Sequence, residues 1–318
     1  MNERAKKIPR WLIAIAAIII GVSLILYYAV SLMIPSGAVQ RAAITAGGGN
    51  TVNIDGFDIW YTLYNEESRE TPVIVVAGGG ALSSDYMEES LRFLADTHPV
   101  LFFDSRGCGR SQIKPDLADY SVPIFSEGIE ALRAHFFPDR NIIVVAHSFG
   151  GLVAMDYAAN YAERVEKLIL ISSVSADYKP VMTTAYFKAG LPPRDQSAAN
   201  EWYVQNMDVF FGPYFQNTSA KAILDKTMAS YAVMMHVGKS KLDLTPKIKN
   251  ITMPVLLLVG GEKEYPITGM DVARKLKSLL PNARLEQLVH SGHFMFAEEN
   301  DEFQQLVNQF LIDKPIVR

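Results

Sequence analysis

The hexapeptide Ala146-His147-Ser148-Phe149-Gly150-Gly151 follows the apolar run NIIVVAH (141–147) and opens a segment with helical spacing. A serine at such a strand-to-helix junction sits on a tight turn that pushes its hydroxyl above a sheet, where it can act as a nucleophile. Positions 146 and 150 must be small because the turn brings backbone against backbone; Ala146 stands where glycine is usual. The N–H groups that open the following helix favour negative charge developing nearby. A serine that merely caps a helix is the competing reading. Serine attacks poorly until a base takes its proton. His293, in Val289-His290-Ser291-Gly292-His293-Phe294, is the best candidate base, with His290 as its competitor. His147 is expected to point away from the Ser148 hydroxyl, His98 and His135 read as structural, and His236 could line a pocket. The base needs a carboxylate to fix its tautomer and stabilise its cation. Gly261-Glu262-Lys263-Glu264 follows MPVLLLVG (253–260) and supplies it: Glu264 is favoured, Glu262 and Asp271 are alternatives, and solvated loop charges are the bland reading.

An oxyanion formed at Ser148 requires backbone donors. One is expected from Phe149, the other from Gly79, in the glycine triplet after TPVIVVA (71–77). Glycine there lets the backbone approach a substrate closely. A plain tight turn is the competing reading of the triplet, and a phosphate loop is disfavoured because no Gly-Lys-Ser/Thr follows. The set amounts to machinery for acyl transfer, and it calls for no metal and no organic cofactor. A single cysteine, Cys108, excludes an internal disulfide framework and a Cys-rich zinc site.

These residues need a scaffold, and the pattern supplies one. TVNI and FDIWYTLY flank Asp55-Gly56, a favoured hairpin turn. Short apolar runs at 71–77, 99–104, 141–147, 165–172 and 253–260, with ARLEQLV (283–289), read as strands. Helical segments are expected at 84–96, 123–136, 149–163, 269–280 and 299–312. Strand–helix alternation implies an α/β fold with a mostly parallel sheet between helices. Residues 177–247 break the rhythm, are rich in aromatics and methionines, and read as a helical cap inserted in a core of 51–176 and 248–318.

Ahead of this body, residues 11–34 form an uncharged, almost wholly apolar run, long enough for a transmembrane helix. The basic segment 1–10 carries Arg4, Lys6, Lys7 and Arg10 against Glu3 and is expected to stay cytoplasmic, leaving the catalytic domain extracytoplasmic. A cleaved signal peptide is the alternative. Residues 35–50 read as a Gly-rich linker. The formal net charge is −4 despite that basic start, so the body is acidic, has no basic stripe, and is a poor partner for nucleic acid. The lipid bilayer, through residues 11–34, and a small ester or short peptide are the expected partners.

Residues 50–315 resemble the α/β-hydrolase superfamily, and two motifs resemble its proline iminopeptidase-like branch. Ala77-Gly78-Gly79-Gly80-Ala81 stands where that branch has His-Gly-Gly-Pro-Gly. Asp104-Ser105-Arg106-Gly107-Cys108-Gly109-Arg110-Ser111 is similar to its Asp-Gln-Arg-Gly-Cys-Gly-Arg-Ser run. The resemblance implies an α/β-hydrolase fold and a Ser148–Glu264–His293 triad, with glutamate where the branch has aspartate. It also implies that Asp104, Arg106 and Ser111 support loops beside the site, and that Cys108 belongs to that motif and is not a reactive thiol. Peptidases of the branch hold the substrate's amine with cap carboxylates; Glu201, beside Trp202, is the candidate here, and an exposed helix charge is its competing reading. The expected function is a membrane-anchored serine hydrolase cleaving an ester or amide bond through an acyl-enzyme. A specific proline iminopeptidase-like aminopeptidase and a non-catalytic binding module are the alternatives; carbon–carbon bond hydrolysis and cofactor-free haloperoxidase action stay open. Dehalogenase and epoxide hydrolase chemistry are disfavoured because they need a carboxylate at position 148.

Overall fold

The computed structural model describes residues 21–22, 50–180 and 185–313. The expected membrane span (11–34) and linker (35–50) therefore lie, but for residues 21, 22 and 50, outside the described residues. No described helix is long and apolar enough to cross a membrane.

The chain begins with a hairpin, β1 (Asn50–Ile54) and β2 (Phe57–Tyr64), closed by Asp55 and Gly56, both at positive φ. Four short apolar strands follow: β3 (Val73–Val76), β4 (Val100–Phe103), β5 (Ile142–His147) and β6 (Val165–Ile171). The helices α1 (Asp85–Leu91), α2 (Val122–Phe136) and α3 (Gly150–Asn160) connect them in turn. β3, β4 and β5 are buried along their whole length, as continuous apolar runs covered on both faces should be. After β6 come β7 (Asp177–Tyr178), the short helices α4 (Ala185–Ala189), α5 (Gln196–Gln205), α6 (Met207–Phe211) and α7 (Tyr231–Val237), and then β8 (Leu242–Asp243). β7 and β8 pair antiparallel, so the inserted segment leaves and re-enters the core at one neck. The chain ends with β9 (Val255–Val259), α8 (Met270–Leu279), β10 (Ala283–Gln287), α9 (Met295–Glu298) and α10 (Asn300–Ile312).

The sheet order is β1-β2-β4-β3-β5-β6-β9-β10. β1 and β2 run antiparallel to their neighbours and the other six strands are parallel. The sequence-based strands and helices agree with these elements to within a few residues; the segment expected as one helix at 84–96 is α1 followed by a 3-10 turn. From β3 the chain steps to β4 on one side and then crosses to β5 on the other. Connections leaving the carboxyl ends of β3 and β5 therefore diverge and open a crevice, the place where open α/β sheets bind ligands.

The loop after β4 braces that crevice. Asp104 is fully buried and accepts hydrogen bonds from Ser84 N (2.7 Å) and Ser84 Oγ (2.9 Å). It also accepts from Arg110 N (2.9 Å) and Arg110 Nε (2.8 Å). Arg110 reaches on to Asp85 at 2.6 Å and lies over the Trp60 ring. Ser111 Oγ donates to the Asp104 carbonyl (2.5 Å) and accepts from Trp60 N (2.9 Å). Asp104 and Ser111 thus support the loop, but the cation is Arg110, not Arg106. Gly107 and Gly109, both at positive φ, fold the loop back so that residue 110 enters the core. Arg106 instead sits over Phe57 with a long contact to exposed Asp55 (3.4 Å). Cys108 is buried, and burial pushes its thiol well above the ordinary range, so it is inert.

Removing one partner of a buried ion pair strands the other, so Arg110→Met is expected to cost about 3–5 kcal/mol in urea unfolding. Arg106→Met is expected to cost less than about 1 kcal/mol in the same measurement, because its ion pair is solvated.

Candidate functional site

Ser148 ends β5 in the left-handed region, with φ +54. That conformation is costly for a residue with a side chain, and the surroundings enforce it. Ser148 N donates to Ile171 O (2.9 Å), while Ser148 O accepts from Gly151 N (3.0 Å) as α3 begins. A Cβ on Gly150 would lie 2.5 Å from Ala77 O and 2.7 Å from Val76 O, so only glycine lets α3 start this close to β3. Ala146, where glycine is usual, is fully buried within β5.

His293 and Glu264 come from the carboxyl ends of β10 and β9. His293 Nδ1 lies 2.6 Å from Glu264 Oε1, and both side chains are at most 4% exposed. Glu264 Oε1 also accepts from Tyr265 N (2.8 Å) and Thr268 Oγ1 (2.8 Å); Oε2 accepts from Ser172 Oγ (2.5 Å) and Gly260 N (2.9 Å). Burial by itself would raise the Glu264 carboxyl. The His293 charge and hydrogen bond, with those from Ser172 and Gly260, outweigh it and bring the carboxyl to about 2. A carboxylate only accepts, so Nδ1 carries the proton and Nε2 keeps a lone pair for an incoming proton.

The other histidines separate cleanly. His290 is exposed and its backbone N–H is bound by Glu299, so it is no base. Glu262 and Asp271 are exposed. His98 Nδ1 bonds Thr71 O, and His135 packs edge-on to Phe136. His236 does not line the cavity over Ser148. His147 points away from that cavity and has a part of its own. Its Nε2 lies 3.0 Å from His293 O and its Nδ1 2.9 Å from Tyr86 Oη, which in turn accepts from Gly78 N at 2.6 Å. Burial, then the nearby His293, holds the ring well below the ordinary histidine range and therefore neutral. Because a carbonyl can only accept, Nε2 bears the proton and Tyr86 donates to Nδ1. The loop after β3 and the loop of His293 are thus joined through the residue before the serine.

Gly79 and Phe149 line a cavity of about 350 Å³ together with Ser148. Among the described residues neither of their N–H groups donates to a protein acceptor, and Gly79 has φ +67 with a Cβ position 2.4 Å from Leu82. Both amides are available to an oxyanion. The remaining wall is mainly aromatic and methionine side chains from the inserted segment. Glu201 and Trp202, taken as substrate contacts from the sequence, are not on it. On α5 the inward positions are Ala199 and Tyr203, so helical spacing turns Glu201 to solvent, while Trp202 packs against Phe210 and Tyr231. Tyr203 lines the cavity instead. Tyr86, Ser172 and Thr268 were not legible as site residues, since nothing in their local sequence marks them. A signal for Ser172 existed only in its place at the end of a strand next to β5.

The inserted segment is stitched to both loops. Tyr214 O accepts from His293 N (2.9 Å), Met228 and Ser83 exchange backbone and side-chain hydrogen bonds (2.8 and 2.9 Å), and Ser230 N donates to Ala81 O (3.2 Å). Glu298 ties Gly292 N to Gln216 N and Asn217 N at 2.9, 2.6 and 2.7 Å.

A family model described as alpha/beta hydrolase fold matches residues 71–300. A proline iminopeptidase of Saccharolobus solfataricus is 23% identical over 83% of this chain and 94% of its own length. A proline iminopeptidase of Thermoplasma volcanium is 25% identical over 82% and 95%. Among solved structures, an enol-lactonase from Burkholderia xenovorans superposes with a TM-score of 0.68 at 19% identity, covering 83% of this chain and 100% of that one. A thermophilic esterase from Thermogutta terrifontis gives 0.66 at 20% identity, covering 86% and 98%.

The lowered carboxyl has a consequence that can be measured. A group depressed from 4.5 to about 2 on folding contributes stability that is complete above pH 4.5 and is lost as pH falls towards 2. The difference in melting temperature between the wild type and Glu264→Gln is expected to shrink across that window.

Proposed function

We propose, from the premise that this chain belongs to the alpha/beta hydrolase fold family, that it cleaves carboxylic esters by acyl transfer through Ser148, His293 and Glu264. It is a hydrolase of that superfamily. The observation that carries the finer reading is the buried Glu264–His293 pair, whose imidazole packs 4.6 Å from the ring of His147, the residue before a serine held at positive φ. In this reading Ser148 Oγ attacks the carbonyl carbon while its proton passes to His293 Nε2. Glu264 stabilises the imidazolium, and the N–H groups of Gly79 and Phe149 receive the oxyanion. Collapse of the tetrahedral intermediate expels the alcohol, which takes the proton from His293. Water, activated by the same histidine, then attacks the acyl-enzyme and releases the acid.

An aminopeptidase is the second reading, favoured by the proline iminopeptidases of similar sequence. Holding a free amine calls for a carboxylate near Ser148. Among the described residues no Asp or Glu lines the cavity, and this weighs towards the ester. The same reading keeps residues 11–34 as a single-pass anchor, with 1–10 cytoplasmic and the catalytic domain extracytoplasmic. The uncharged run and the basic cluster before it support this. The segment 177–247 acts as the cap over the core of 51–176 and 248–318, which suits a small apolar substrate.

Full-length protein in detergent should turn over short- and medium-chain p-nitrophenyl esters and leave proline and alanine p-nitroanilides intact. Ser148→Ala should remove roughly a millionfold of kcat, and Glu264→Gln roughly a thousandfold to ten-thousandfold, through loss of the correct tautomer. Anilide turnover requiring a free amine would instead establish the aminopeptidase. Intact-mass measurement of membrane-extracted protein should return a chain that retains residues 11–34; a mature chain starting near residue 39 would sink the anchor.

A further inference from the structure

The wall of the cavity over Ser148 is apolar where Tyr203, Phe210, Phe211, Met234 and Met235 form it. A single lining side chain carries a full charge, Lys239. It follows Gly238, the residue that ends α7, at the edge of the inserted segment. Among the described residues it has no ion-pair partner, and no carboxylate shares the wall with it. Lys239 is exposed overall, and the desolvation it does undergo at the cavity edge, with no neighbouring acid, pushes its ammonium below the ordinary lysine range. In sequence, residues 239–249 hold Lys239, Lys241, Lys247 and Lys249 against Asp243. Of these, Lys247 is already committed to Asp156 at 3.3 Å.

An ammonium on an apolar wall, with no counter-charge from the protein, repels a cationic ligand and is relieved by an anionic one. The rest of the wall offers aromatic rings and thioethers, which suit a methylene chain. We propose that Lys239 is a specificity-determining residue that binds a carboxylate at the far end of the substrate's acyl chain. The preferred substrates are then monoesters of dicarboxylic acids, and esters bearing a free amine at that position are disfavoured. This rests on the ester reading above and names the substrate class for that site.

The test uses full-length protein in detergent and mono-p-nitrophenyl esters of adipate, suberate and sebacate. Each is paired with its methyl-capped neutral counterpart of the same length. For at least one chain length the anionic ester should have the higher kcat/KM. That preference should fall roughly threefold to tenfold in Lys239→Met, as expected for a partly exposed pair. It should fall further in Lys239→Glu, be retained in Lys239→Arg, and weaken with added salt. The change should appear in KM. A preference that is the same in wild type, Lys239→Met and Lys239→Glu would overturn the proposal. A second arm reads binding without turnover: calorimetric titration of monomethyl suberate, against dimethyl suberate, into Ser148→Ala with and without Lys239→Met. Absence of turnover of every ester defeats the ester reading alone. In that event monomethyl suberate affinity unchanged by Lys239→Met also overturns the role of Lys239, and affinity lost with the lysine sustains it.

Discussion

Everything near the site answers to one backbone constraint: Ser148 must turn from β5 into α3 through a left-handed conformation. A residue with a side chain resists that by about 1–2 kcal/mol, so neighbouring elements have to over-determine it. β6 does so on one side, where Ile171 O holds Ser148 N. β3 does so on the other, where the carbonyls of Val76 and Ala77 leave room only for Gly150. Gly78 belongs to the same packing, since a Cβ there would meet His147 O at 2.9 Å and Ser148 Cβ at 3.0 Å. The turn, the start of α3 and the entry to the glycine loop are three expressions of one close approach.

Charge is arranged as strictly as shape. Glu264 is buried yet ionised because five donors converge on its two oxygens, counting His293. The carboxylate then dictates the His293 tautomer, with the proton on Nδ1. Beside it, burial and the nearby His293 outweigh the pull of Glu264 on His147 and keep it neutral, and every proton in the Gly78–Tyr86–His147–His293 chain has one acceptor. A fully satisfied network of this kind rigidifies both loops at low local dielectric.

The inserted segment shares in this rather than resting loosely above it. Its backbone supplies acceptors to His293 N and Ser83 N, and Glu298 clamps it from below. The neck at β7–β8 is further tied to α8 by the Asp177–Lys275 pair at 2.7 Å. Lys275 and Ser175 hold the Asp177 carboxyl at about 2, so the pair persists across ordinary pH. The segment therefore forms the cavity wall and also holds the backbone of His293.

How much of this was written locally follows from the range of each interaction. Ser148, Phe149, Gly150 and the run before them were legible because a strand, a tight turn and a helix start fall within ten residues, although the left-handed turn itself is held by β6 and β3. Strand periodicity and the glycine triplet were legible for the same reason. His293 and Glu264 could be nominated by their place after strands, but only the parallel pairing of β9 with β6 and β10 brings them within 2.6 Å. Tyr86, Ser172 and Thr268 had no local mark, because each matters through a distant partner, His147, Glu264 and His293 respectively, 25 to 92 residues away. Arg110 displaced Arg106 because two positive-φ glycines redirect the loop, and Glu201 yielded to Tyr203 because α5 turns one face to solvent. Residue type and short-range spacing determined the chemistry the chain can attempt. Which side chains meet, which carboxylate stays charged and what the cavity accepts were decided by tertiary packing, since burial and long-range contact alone set those energies.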